Sequence, residues 1–347
     1  MDESVSIRKI AELAGVSVAT VSRIINKKGR YSKETERRVH EIMDAYGYVP
    51  NMLAKGLRTN RNMMIGIMLP DITGVYFGDV ASVIQSYLFR HGYASIFCNT
   101  GRDKQMELEC IRILQSQQVA GIVHFVRHNH ADAGFINLPT VYLDTDPARE
   151  PNREQVVNVT CDNVMGGYLG TKRLLEAGCK RVAVLTTPTN YTHVKRLEGY
   201  RKALREAGFE PEKELIYAVD RVSIKSAREA VAANWGKDRP DGLMCLNDSF
   251  GIGALKGVLD LGLRVPEDVK IVAYDASDML AASNPAITTI IQPKELVGET
   301  IARELLRMMQ DPAPEGEAEE RSIVIPVTLL ERDSVKMQAH APRISGK

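Results

Sequence analysis

Over the first fifty residues apolar side chains recur every third or fourth position. Ile7, Ile10, Ala11 and Ala14 fall at i, i+3, i+4 and i+7, the spacing of one helix face, and Gly15 behind them supplies the backbone freedom for a tight turn. Ser17 can cap a second helix, from about Val18 to Asn26, that turns Val21, Ile24 and Ile25 to the core. Val18, Ala19, Ser22, Arg23 and Asn26 are then left facing outward. Ser32 can cap a third helix with Val39, Ile42, Met43 and Tyr46 on its inner face and Gly47 as its stop. Two short helices hinged at a glycine are the pattern of a helix-turn-helix, whose second helix meets the bases and phosphates of DNA.

Pro50 or Asn51 starts a further helix of two turns that ends near Leu57, too short to be stable alone. Gly56 weakens it by about 1 kcal/mol relative to Ala, so it should fold only when something holds it. From Met64 the pattern changes to short apolar runs at 65–69, 94–98, 121–126, 140–143, 156–160, 181–185, 243–246 and 270–274. Helical stretches lie between and after them at 78–91, 105–117, 163–177, 194–207, 223–235, 248–261 and 294–309. This alternation predicts parallel sheets covered by helices. The strands are too many for one comfortable sheet and the run breaks near Cys161–Val164, which predicts two doubly wound lobes. Residues 311–321, rich in Pro, Glu and Gly, read as a solvated loop, and 336–347 as a loose tail.

A chain of 347 residues suits a small domain plus a bilobed one, and its 44% hydrophobic content can fill both cores. The net charge of +1 hides an asymmetry. Residues 1–61 hold 12 Lys and Arg against 7 Asp and Glu, or +5, and the remainder holds 33 against 37, or −4. The basic part is the one whose pattern meets a polyanion. Five cysteines without a Cys-x-x-Cys pair favour reduced thiols over disulfides or a zinc site. The first residues hold no apolar signal core and no later run is long enough to cross a membrane, so a cytoplasmic location is expected.

The stretches IAELAGVSVATVSRIIN and YVPNMLAKGLRT resemble the headpiece of the lactose-repressor and galactose-repressor family. Later stretches, among them IGIMLPDITGVYF, RLEGYRKAL, CLNDSFGIGAL, RVPEDVKIVAYDAS and LLERDS, are similar to its effector-binding domain in the same order. The resemblance implies an all-α helix-turn-helix headpiece, 1–50, and a hinge helix and linker, 51–61. It further implies an α/β periplasmic-binding-protein-like effector domain, 62–335, of two doubly wound lobes. The chain would cross between lobes near Asp162, Gln292 and Val324, dividing 62–161 with 293–323 from 162–291 with 324–335. It implies a transcriptional regulator, a repressor in its commonest form, that binds a near-palindromic double-stranded DNA operator as a homodimer under control of a small-molecule effector. No cofactor and no metal are expected. Tetrameric members append leucine heptads, and 336–347 has none.

For DNA, an Arg at position 23 can give two parallel hydrogen bonds to guanine O6 and N7, or it can contact phosphate or solvent. The resemblance assigns Arg23 to bases and marks Val18 and Ala19 as specificity-setting; both are small, so they offer methyl contact only. Ser17, Thr20, Ser22 and Asn26 suit phosphates. Asn51, Ala54, Lys55, Leu57 and Arg58 join the DNA-facing set, with Arg61 beside it. The resemblance makes Leu57 a minor-groove wedge, and the alternative is a leucine packed on the lobe beneath.

For a ligand, parallel sheets place their sites at the carboxyl ends of strands. Asp71, Tyr76 and Phe77 follow the first strand, Asn99 ends the second, His124 to His128 the third and Asp144 the fourth. The other lobe brings the Asn190–Lys195 loop, Arg196, Asn247, Asp248 and Asp275. The resemblance matches Arg196, Asn247 and Asp275 to effector hydrogen bonding, and Tyr76 and Phe77 to ring packing; Phe250 is included in the set. A planar Arg among carboxylates and amides suits a polyhydroxyl ligand such as a sugar, although Asn247 or Asp248 is equally a helix cap and Tyr76 and Phe77 equally core. His124, His128 and His130 are expected on a polar cleft rim rather than around a metal, where with Arg127 they could meet an anionic group.

Two other classes compete. A ligand-binding protein without regulation would leave the basic headpiece unexplained. Gly251, Gly253 and Gly257 approximate a dinucleotide-enzyme fingerprint, but four residues separate Leu246 from Gly251, so the glycines should fall inside a capped helix and serve close packing. No enzyme activity is expected.

Overall fold

The computed structural model describes residues 6–25, 29–48, 62–125, 138–145, 156–310 and 321–335. The chain divides into two compact units, Met1–Met63 and Met64–Lys347.

In the first unit, α1 (Ile7–Ala14), α2 (Val18–Ile25) and α3 (Lys33–Ala45) enclose Ile10, Ala11, Ala14, Val21, Ile24, Val39 and Met43. Gly15 ends α1 at φ 65°, which lets the Val16 amide donate back to the Ala11 carbonyl at 3.0 Å. Ser17 Oγ then accepts from the Thr20 amide at 3.1 Å, capping α2, and Ser32 Oγ does the same for Thr35 at the start of α3. Tyr46 departs from expectation. It is 50% exposed, because α3 stops at Ala45 and Gly47 turns the chain, and Tyr48 packs on the core in its place.

The second unit holds two sheets of six strands each. The first is built from β1 (Met64–Leu69), β2 (Ala94–Asn99), β3 (Gly121–Phe125), β4 (Thr140–Leu143), β5 (Val156–Cys161) and β11 (Arg321–Ile325), in the order β11-β5-β4-β3-β1-β2 and parallel throughout. The second contains β6 (Val182–Thr186), β7 (Ile216–Ala218), β8 (Gly242–Cys245), β9 (Lys270–Tyr274), β10 (Thr288–Ile291) and β12 (Thr328–Leu330). Its order is β12-β10-β9-β8-β6-β7, parallel except for β12. Helices α4 (Val75–Arg90), α5 (Lys104–Ser116) and α11 (Lys294–Gln310) pack on the first sheet or on each other. Helices α6 (Asn163–Glu176), α7 (Tyr191–Glu206), α8 (Ile224–Asp238) and α9 (Asp248–Asp260) serve the second, with the short α10 (Asp278–Ala282) beside α9.

Each sheet reverses its strand order once, at β1 in the first and β6 in the second, and a crevice opens at the carboxyl ends of strands around such a point. The chain passes from the first sheet to the second at Asp162 and returns after Ile291. Val324, expected at the third crossing, still lies in β11, which pairs with β5 as far as Ile325 opposite Cys161; the passage falls at Pro326–Val327. The Asp162 amide donates to the Ile325 carbonyl at 2.9 Å, which ties the first crossing to the third. Apolar runs do not announce β7, β10, β11 and β12. Three of these, β7, β11 and β12, are edge strands.

Candidate functional site

A cavity of about 950 Å³ opens between the two sheets, lined from both lobes. On the first lobe Asp71 follows β1, and its Oδ1 accepts from the Thr73 amide and hydroxyl at 2.9 and 2.6 Å. Tyr76 and Phe77 stand in the first turn of α4, which starts at Val75, earlier than the apolar pattern predicts. Their rings meet edge-on at 5.7 Å, and Phe77 leans on Phe125. Asn99 and Asp144 complete this wall together with Arg102, which the sequence did not mark.

On the second lobe the expected Asn190–Lys195 loop is mostly helix. Asn190 Oδ1 accepts from the Thr192 amide at 3.0 Å, which starts α7 at Tyr191 and brings His193 and Arg196 onto one face. His193 Nδ1 accepts the Thr187 amide at 3.0 Å, and its Nε2 lies 3.2 Å from the Asn247 amide nitrogen. Burial, helped by Arg196 and Arg102, holds this imidazole well below its ordinary pKa, so it is neutral. Thr187 Oγ1, on the same wall, is buried without a hydrogen-bond partner. Asn247 both lines the cavity and caps α9, its Oδ1 accepting from the Phe250 amide at 2.8 Å.

Arg196 is the centre of the site, 4% exposed. Its Nε donates to Asn163 Oδ1 at 2.8 Å, one terminal nitrogen donates to the Leu246 carbonyl and stands 3.7 Å from Asp275 Oδ1, and its plane lies 3.6 Å from the centre of the Tyr274 ring. Asp275, in the left-handed region at φ 79°, also accepts from Gln292 Nε2 at 2.6 Å. Burial raises the Asp275 carboxyl to about 6 although Arg196 opposes the shift, and it raises Asp144 in the same direction. A guanidinium stripped of water beside desolvated carboxylates needs every donor and acceptor met.

Of the residues expected here, Asp71, Tyr76, Phe77, Asn99, Asp144, Arg196, Asn247 and Asp275 line the cavity. Phe250 does not. It is wholly buried, because the cap on α9 turns it inward against the His193 ring at 5.6 Å. His124 is no rim residue either, since β3 runs through it; its Nε2 lies 3.4 Å from Glu107 Oε1 and its ring 5.6 Å from Tyr142. Arg127, His128 and His130 lie outside the described residues. Asn163 escaped the sequence reading, His193 stood in it only within the Asn190–Lys195 loop and Gln292 only as the second crossing; the caps at Asp162 and Asn190 could have signalled the first two.

The glycines of α9 are packing glycines. A methyl at Gly253 would overlap the Ile224 carbonyl of α8 and one at Gly251 would meet the Ala273 side chain at 2.6 Å, as the capped-helix reading expects. In the first unit Ser17, Val18, Ala19 and Arg23 are exposed on α2 while Thr20 and Ser22 are half-buried, and the Arg23 stem lies over Gly29. Asn26, Asn51, Ala54, Lys55, Leu57, Arg58 and Arg61 lie outside the described residues. Among the described residues no helix is long and apolar enough to cross a membrane.

Residues 6–51 match the model of bacterial regulatory proteins of the lacI family, and 171–335 match that of the periplasmic binding protein-like domain. The repressor PurR of Vibrio atlanticus is 30% identical over 346 residues, spanning 95% of this chain and 98% of its own length. The transcriptional regulator RegA of Clostridium saccharobutylicum is 30% identical over 337 residues with the same coverage. Among solved structures, a lac repressor dimer bound to operator and the anti-inducer ONPF superposes with a TM-score of 0.82 at 24% identity, covering 96% of this chain and 99% of that one. A complex of the transcriptional regulator CelR with cellobiose gives 0.71 at 28%, covering 95% and 99%. With a helix-turn-helix ahead of two doubly wound lobes and relatives matched over almost their full length, the chain belongs to the lacI family of bacterial regulatory proteins, DNA-binding regulators of transcription.

Proposed function

We propose that this regulator is a homodimeric, cytoplasmic repressor without enzyme activity whose affinity for a near-palindromic operator is set by a sugar or sugar derivative in the inter-lobe cleft. The observation that carries the ligand class is the buried Arg196 paired with Asp275, in a cavity that Asp144 and Phe77 line from the other lobe. Arg and carboxylates match a row of hydroxyls, and an aromatic ring matches the apolar side of a sugar ring. Asp71, Asn99 and Asn247 would take further hydroxyls. Residues 1–50 form the DNA-reading part, 51–61 the linker and 62–335 the effector and dimerisation domain. Arg23 contacts bases or phosphates, Val18 and Ala19 tune the sequence, and Ser17, Thr20, Ser22 and Asn26 hold phosphates. Asn51, Ala54, Lys55, Leu57 and Arg58 act at the linker, with Leu57 as a wedge.

A ligand that touches both lobes favours one lobe arrangement over another, and because the linkers leave from the first lobe the same preference appears as a change in operator affinity. A thermal-shift screen of sugars and sugar acids finds the effector, since a ligand at 100 times its Kd adds about 2.7 kcal/mol. Gel-shift titrations then separate the parts. Arg196→Ala should abolish the ligand response and keep operator binding, whereas Arg23→Ala should relax operator preference at a cost of about 1 to 3 kcal/mol. Full ligand response in Arg196→Ala would show that the cleft is assigned wrongly.

A further inference from the structure

The first crossing between the lobes is one residue wide, Asp162, set between β5 and α6. Asn163 opens α6 and is buried. Its Nδ2 donates back to Thr160 Oγ1 at 3.2 Å and the Cys161 carbonyl at 3.0 Å, both in the first lobe, while its Oδ1 accepts from Arg196 of the second. The Thr160 hydroxyl donates to Asp144 Oδ1 at 2.7 Å. At the second crossing Gln292 stands between β10 and α11, 1% exposed, and donates to Asp275. One polar chain, buried except at the half-buried Thr160, therefore runs through Asp144, Thr160, Asn163, Arg196, Asp275 and Gln292, entering by the first crossing and leaving by the second.

Such a chain is a costly way to fill a core, since each member gives up water and apolar residues of equal volume pack as well. What it supplies is geometry. A backbone crossing leaves the angle between lobes soft; Asn163 bonds to both sides of the first crossing and fixes it, whereas Gln292 holds the second crossing to Asp275 of the second lobe. We propose that Asn163 and Gln292 are positioning residues that lock the lobe orientation to the Arg196–Asp275 pair, so that a ligand drawing on that pair moves both crossings. This rests on the role proposed above for Arg196 and Asp275, and a ligand-free measurement lets the two fail separately.

Pulsed electron-resonance distances between labels carried on unnatural amino acids at Glu109 in α5 and Lys225 in α8 report the lobe angle, with labelled chain diluted in unlabelled chain. Asn163→Asp keeps the acceptor for Arg196 but loses the donors to Thr160 and Cys161, and Gln292→Met loses the donor to Asp275. Both should broaden or shift the distance distribution while the full-length protein still melts cooperatively. Ser334→Ala is the control. It removes an equally buried pair of hydrogen bonds, from the Thr288 amide and to the Ile271 carbonyl, that lies within the second lobe. Distributions unchanged in both variants, or changed as much in Ser334→Ala, overturn the proposal. Should Asn163→Asp fail to fold, Gln292→Met decides. If Arg196→Ala keeps its ligand response while the distances move, the assignment of the cleft fails and the lock stands.

Discussion

Asp275 shows how a single residue is set by what surrounds it. Burial lifts its carboxyl from 3.8 to about 6, with Arg196 and Gln292 pulling against the shift and Asp248 and Asp144 adding to it. The folded protein then holds a proton that the unfolded chain has released between those two values, so stability falls as pH rises from about 4 to about 6 and is level above that. Asp275→Asn cannot titrate. Its unfolding free energy, measured in urea from pH 4 to 7.5, should lack that fall, and identical pH profiles for the two proteins would show that Asp275 ionises as it does in the unfolded chain. Asp268 behaves in the opposite sense. Hydrogen bonds from Arg264 hold it at about 2, so its contribution is present at neutral pH and is lost only in stronger acid.

At the scale of elements the contact between α6 and α7 decides where Arg196 sits. A methyl at Gly167 would overlap the Arg196 carbonyl and one at Gly199 the Val164 carbonyl. Backbone meets backbone at this contact, so no side chain can yield. Gly167→Ala should cost about 1 to 3 kcal/mol by pushing the helices apart. Ligand affinity should fall with it, because α7 carries both Arg196 and His193. Gly236 in α8 is the contrast. Nothing lies within 4 Å of its added methyl, so Gly236→Ala should be neutral or stabilise by about 0.4 to 1 kcal/mol. Thermal melts with calorimetry of ligand binding check both, and a Gly167→Ala protein that melts and binds like the parent would refute the close-contact reading.

For the whole molecule, one chain presents one reading helix, and a near-palindromic operator needs two related by a two-fold axis. Sedimentation at micromolar concentration should give a dimer; a stable monomer or tetramer would contradict the proposed assembly. Much of this organisation is legible without coordinates. The three-residue and four-residue spacing around Gly15, the serines at positions 17 and 32 and the alternation beyond Met64 follow from local rules, because caps, turns and amphipathic faces are decided by neighbours in sequence. Strand ends also pointed to Asp71, Asn99, Asp144, Asn247 and Asp275. Local rules fail where the partner is distant. Phe250 could not be told from a cleft residue until its cap turned it inward, nor His124 from a rim residue until β3 ran through it. Asn163 and Gln292 are ordinary amides in sequence, 129 positions apart, and only the two returns of the chain between lobes bring them to opposite ends of the Arg196–Asp275 pair. The sequence by itself determined the headpiece helices, most of the elements beyond Met64, the charge asymmetry and the class of protein. The tertiary structure alone decided which buried polar groups share a network, since that depends on contacts between residues far apart in the chain.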